Sequence, residues 1–313
     1  MNKYDTYNPI THKGFLPIRV LPYNVIDWLE KVTPDFLKIV KYEVENNGLN
    51  PGIIYHLEKS TIDAIANIDK SKRIHLYENY NQFLWSLCYS LLVIFDRGIK
   101  LPILLKTFNG VMNVDDIFVK RAIALFNSGL SLFHDYSDFS FYELPNPEKF
   151  IEFEKDYIEK ANSIYVAALT FILIHEFSHQ YFGHLEYISK SDQSKKDELN
   201  SDDYALDLIK HNFHNEKGFS FRIGAIVALS SIIFFDDSLK GGDEHPDPDE
   251  RIKNIIAKMS LNDLDDEWGI ASLSFILWSI HYKRKFDLPK EVSCFKELFD
   301  KILLNVPLVK KSS

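Results

Sequence analysis

Apolar residues recur along this chain mostly at the helical period. Spacing near 3.6 marks Trp28 to Glu45 as an amphipathic helix ending at Asn46-Asn47-Gly48, and Pro51 opens a further helix expected to reach Ile68. Tyr77 to Phe95 is apolar around most of its circumference, which predicts a long buried helix. Asp115 to Phe133 carries Ile117, Ala122, Leu125, Phe126 and Leu130 at helical spacing. Helices are also expected over Val166 to His184, Phe221 to Phe235, Arg251 to Met259, Ile270 to Lys285 and Glu291 to Leu304. Alternation at period two is scarce. FSFYEL, Phe139 to Leu144, reads either as a short strand or as a loop packing its aromatics on the core. The pattern predicts a mainly α protein, α+β with at most a small sheet. It divides into a helical N-terminal part over 1–150 packed on the core, a core over 151–260, and C-terminal helices over 261–313.

The core helix carries chemistry. VAALTFILIHEFSHQYFGH contains His175, Glu176 and His179 after an apolar run. Positions four apart share a helix face, so His175 and His179 aim two imidazoles at one point, with Glu176 one step round. Two histidines and a glutamate in an apolar helix need partners to offset their desolvation. A metal supplies one: this is the HExxH arrangement of two zinc ligands and a carboxylate acting as general base. Gly183 stands where a helix stop is expected, with His184 at the helix end. A polar loop is expected from Ser189 to Asp197, then a second helix, ELNSDDYALDLI, returning antiparallel to the first. A zinc on two histidines needs a third protein ligand, which Glu198 is placed to supply. Asp202, four residues on, would hydrogen-bond the far nitrogen of a ligating histidine, with His179 as the expected partner.

HEFSH followed by ELNSD resembles the gluzincin pattern HExxH…ExxxD of zinc metallopeptidases. The resemblance implies a zincin-like core, zinc on His175, His179 and Glu198, and Glu176 as base. EHPDPDERI is similar to the HP-x4-R element of HtpX-like and CAAX-protease-like peptidases, which implies a catalytic place for His245 beside the metal. Arg251 is then expected to pair with a carboxylate such as Asp202 or Glu250. Size, layout and motif together resemble the Lit-type phage-exclusion peptidases. That likeness implies a dormant protease, triggered by infection, that cuts a host translation factor. HEFSHQYFGH and the spacing of Glu198 to Ala205 are also similar to the ImmA/IrrE-type regulators, whose DNA-binding helix-turn-helix is not evident here. The alternative this opens is a non-catalytic, zincin-fold interaction protein that binds a partner protein.

Composition narrows the picture. The 313 residues are 46% hydrophobic and carry a net charge of −9, enough apolar material for a large core and the wrong sign for nucleic acid as the main partner. Two separated cysteines, Cys88 and Cys294, resemble neither a disulfide framework nor a CxxC site. MNKYDTYNPITHKGF has no apolar core of a signal peptide, and the apolar runs fall short of the roughly 18 to 20 residues of a membrane span. The expected protein is cytoplasmic and not membrane-bound, with a protein or peptide as substrate.

Overall fold

The computed structural model describes residues 3–5, 7–8, 10–136, 138–139, 143–186, 191–214 and 218–312. Among these residues it is mostly helical, with one three-stranded sheet and a two-stranded ribbon. In chain order, β1 (Lys3–Asp5) precedes α1 (Leu21–Val32) and α2 (Pro34–Glu45). The single helix expected over Trp28 to Glu45 is thus two. Proline disfavours a helical residue before it, and Thr33 takes φ −131° and ψ 57° ahead of Pro34.

The helix expected from Pro51 to Ile68 is instead two strands and a connecting coil. They are β2 (Ile53–His56) and β3 (Ala66–Ile68), followed by β4 (Ile74–Tyr77). β4 is central, parallel to β2 and antiparallel to β3, so β3 is an edge. Ala66, Ile74 and Leu76 are buried beneath the sheet. Strands of three or four residues carry too few alternations to show as period two, and the β2–β4 pairing joins residues 21 apart.

Next come α3 (Glu78–Ile94), every residue of which is buried, then α4 (Leu101–Leu104) and α5 (Ile117–Ser131), which Asp116 caps by accepting from the Phe118 and Val119 N–H groups. β5 (Lys149–Ile151) pairs antiparallel with β1. FSFYEL crosses 140–142, outside the described residues. The 27-residue α6 (Lys155–Tyr181) follows, and α7 (Ser191–Ile209) packs on it. The loop expected over Ser189 to Asp197 is therefore largely the start of α7. A polar stretch without Gly or Pro is helix-compatible, and Gln193 Nε2 donates to Asp197 Oδ1 across one turn (2.8 Å). The fold closes with α8 (Gly218–Ile232), α9 (Pro248–Ala257), α10 (Asp266–His281), α11 (Phe295–Leu303) and α12 (Val306–Ser312).

Among the described residues two helices are long and apolar enough to cross a membrane, Glu152–Tyr181 and Gly218–Phe235, contrary to the expectation that none would be. The most apolar window of each is 72% buried inside the protein. They contain α6 and α8, which pack on each other at the centre, so here they form the core. They meet tightly at Gly224. A Cβ there would stand 2.7 Å from Ala167 Cβ and 2.8 Å from the Ala168 nitrogen, and helix backbone does not yield cheaply. Gly224→Val is expected to cost ~1–3 kcal/mol or more, because overpacking must shift a helix. Urea unfolding checks this; a loss below ~0.5 kcal/mol would show that the two helices slide freely.

Candidate active site

The site lies where α6, α7, the loop before α9 and the edge of β3 meet. α6 ends as its sequence requires: Gly183 takes φ +74°, and the Phe182 and Gly183 N–H groups return to Ser178 and Gln180 carbonyls. One turn earlier, His175 Nε2 and His179 Nε2 converge to 3.1 Å. Glu198 reaches both from α7, with Oε2 3.5 Å from His175 Nε2 and Oε1 3.4 Å from His179 Nε2. One ligand atom from each residue fits within a 4.8 Å group. The antiparallel return of α7 explains the order of contacts. His184 lies 3.5 Å from Asp197, His179 meets Glu198, and His175 meets Asp202.

That order corrects one expectation. The partner of Asp202 is His175, whose Nδ1 lies 2.9 Å from Oδ1, and not His179. The later residue of an antiparallel helix faces the earlier one of its neighbour. His179 is backed instead by His184, Nδ1 to Nδ1 at 3.1 Å. Sequence reasoning left His184 as a helix end; its only trace was an extra histidine five residues after His179. Arg251 is buried and forks onto Asp202, Nε and Nη2 each donating at 2.7 Å. Its Nη1 stands 3.1 Å from Glu198 Oε2. His245 places Nδ1 3.4 Å from Glu198 Oε1 while more than half of its side chain stays exposed. The structure thus gathers all seven predicted residues, with Glu250 outside the Arg251 fork.

Charge in this buried cluster is sorted by neighbours. Burial alone would lower the His175 imidazolium, but the Asp202 and Glu198 carboxylates outweigh it and raise it to about 10. His179 is lowered to about 4 by burial and then by the charge on His175. Burial pushes Glu198 and Asp202 up, yet His175 and Arg251 hold both below the usual carboxylate range, with His245 helping at Glu198. Glu176 goes the other way. Burial raises it to about 7, with Glu198 adding and His175 opposing. Its Oε2 accepts from the Ile68 N–H at 3.0 Å, a contact with no sequence signature.

The cluster opens into a cleft of about 410 Å³. One wall is residues 63–67, the β3 edge and the coil before it. The other is apolar, with Phe171, Ile172, Leu229 and Ile232 from α6 and α8. The donors fit zinc: two imidazoles and a carboxylate are a catalytic zinc set with one position left open. The carboxylate behind His175 Nδ1 favours the tautomer with its lone pair on Nε2.

A family model described as Peptidase U49 matches residues 74–271, which span β4 through the start of α10. No curated protein and no solved structure matches the chain.

Proposed function

The chain belongs to the Peptidase U49 family, the Lit-type peptidases, and on that premise we propose that it is a zinc-dependent metalloendopeptidase acting on a protein substrate. The observation that carries this reading is the convergence of His175, His179 and Glu198 beside a buried Glu176. Zinc on those three residues would supply a Lewis acid and lower the pKa of a water. Glu176, its Oε2 held by Ile68 N–H, keeps Oε1 to take the proton of the attacking water and deliver it to the leaving amine. His245, whose imidazolium is favoured by its contact with Glu198, is assigned to the developing oxyanion. Arg251 and Asp202 hold Glu198 and His175 in place.

The β3 edge offers backbone groups along the cleft. An extended substrate segment adding to β3 would lay one side chain against the apolar wall, so the bond cut is expected to sit beside a bulky apolar residue. Cytoplasmic action in phage exclusion, with a host protein as target and no nucleic-acid partner, is the setting we propose.

Metal content tests this reading. Plasma mass spectrometry of the dialysed chain is expected to give about one zinc, lost in His179→Ala with helical circular dichroism retained. No metal in either protein, after zinc is supplied at neutral pH, would remove the metallopeptidase reading.

A further inference from the structure

A second group of titratable side chains lies outside the cleft, on the outer face of the three-stranded sheet. His56 on β2 and His75 on β4 stand there with Asp69, at the turn between β3 and β4, and Glu58, two residues past His56. His75 Nε2 lies 3.0 Å from Asp69 Oδ2, and His75 Nδ1 lies 2.9 Å from His56 Nε2. His56 Nδ1 then faces Glu58 Oε1 at 3.6 Å.

The hydrogen-bond order along this row can be counted. Asp69 accepts from Ser71 Oγ (2.7 Å) and the Arg73 N–H (3.1 Å), and these bonds, with His75, hold its carboxyl well below the usual range. An ionised carboxylate only accepts, so His75 Nε2 carries a hydrogen. In neutral His75 the lone pair is then on Nδ1, so His56 donates through Nε2. That leaves His56 Nδ1 with a lone pair, facing a carboxylate oxygen. With both imidazoles neutral, two acceptors are turned toward each other, a contact that one positive charge between them would relieve.

We propose that a divalent transition-metal cation supplies that charge, bound by His56 Nδ1 and Glu58 and completed by water. The 3.6 Å separation is long for a hydrogen bond but near the ~3.3 Å spanned by two ligand atoms on one tetrahedral zinc. Behind the histidine stands the kind of hydrogen-bonded support that metal-ligating imidazoles use, here His75 backed by Asp69. The Tyr77 ring stacks on His56 at 4.6 Å and 10°, fixing the ring plane. Burial and then the charge of Asp63 raise the Tyr77 phenol, against a hydrogen bond with Asn67, and Glu58 adds to the rise. An imidazole with a carboxylate suits Zn2+, Ni2+ or Cu2+ over Mg2+. With two protein ligands it is the weaker site and empties on dialysis.

The test is calorimetric titration of Zn2+ into the full-length chain already holding its first equivalent, with metal content read in parallel. Wild type is expected to take up one further zinc. Glu58→Gln and His56→Gln should lose it, while His75→Gln should bind it ~10–100-fold more weakly. Glu58 is an exposed side chain, so its variant tests the site without endangering the fold. If wild type takes up no further zinc, or both ligand variants bind it as wild type does, the proposal is overturned and the missing charge is a proton on the row. This outcome is separable from the zinc reading of the cleft, because loss of that reading removes the first equivalent and leaves the second.

Discussion

Glu176→Gln is expected to lower turnover by ~10²–10⁴-fold while the chain keeps its zinc. The amide retains the shape and can still accept from Ile68 N–H, but it cannot take a proton from water. The same variant should be more stable than wild type when both are metal-free at alkaline pH. Burial raises the Glu176 carboxyl from its usual 4.5 to about 7. A group whose folded pKa is raised binds more protons in the folded state between those values. Stability therefore falls as pH climbs from 4.5 through 7, and above that the buried carboxylate costs the fold its full penalty. The ceiling on this penalty is on the order of 3 kcal/mol, at about 1.4 kcal/mol per pH unit. Thermal unfolding of metal-free protein should show the variant melting higher at pH 8 and the gap closing below pH 5. Full turnover in Glu176→Gln would sink the mechanism. An unchanged melting temperature at pH 8 would mean that Glu176 is already neutralised by a partner.

The helical half of this arrangement was legible in the chain, and the reason is local. His175, Glu176 and His179 sit within five residues, and Glu198 and Asp202 are one turn apart, so helix geometry alone aims them. Gly183 and the Pro246–Pro248 element announce their helix boundaries through backbone chemistry. The contributions from elsewhere were not legible. β3 reaches the site only because β4 pairs with it, and nothing in Ala66-Asn67-Ile68 signals an edge strand. The Ile68 N–H that holds Glu176 is a backbone group, which any residue but proline would supply. The antiparallel order of α6 and α7 was anticipated, yet the exact register was not. That register decides whether Asp202 stands behind His175 or His179. The same limit hid His184, which is brought back onto His179 by the turn at Gly183.

These non-local contacts give the site its division of labour. α6 and α7 fix the three candidate ligands through buried side chains, whereas the base is held from the sheet. Substrate adding to β3 would therefore bear on the strand that positions Glu176, so binding and proton transfer share one structural element. The His56–His75 row lies on the outer face of that same sheet, and Asn67, which also lines the cleft at the strand edge, is directly opposite His75 in the β3–β4 register and shares its face.

Arg251→Met is expected to cost ~3–5 kcal/mol of stability, the largest loss foreseen for any single side chain of the site. Arg251 is buried and donates to both oxygens of Asp202, a residue that is itself 1% exposed, and it stands beside Glu198. Removing it leaves two buried carboxylates to be balanced by His175 and the half-exposed His245. Methionine fills much of the space, so the loss reads the charge and not a cavity. Arg251→Lys should recover little, because an ammonium cannot reproduce the two-pronged contact. The double variant Arg251→Met/Asp202→Asn separates pairing from burial. If the cost arises from stranding Asp202, the second change returns part of it, with a coupling of ~1–3 kcal/mol in urea unfolding. Purely additive losses would instead place Arg251 as a packing residue. Zinc supplied to the single variant should restore stability in part, since a dication at Glu198 replaces the missing positive charge by binding only the folded chain.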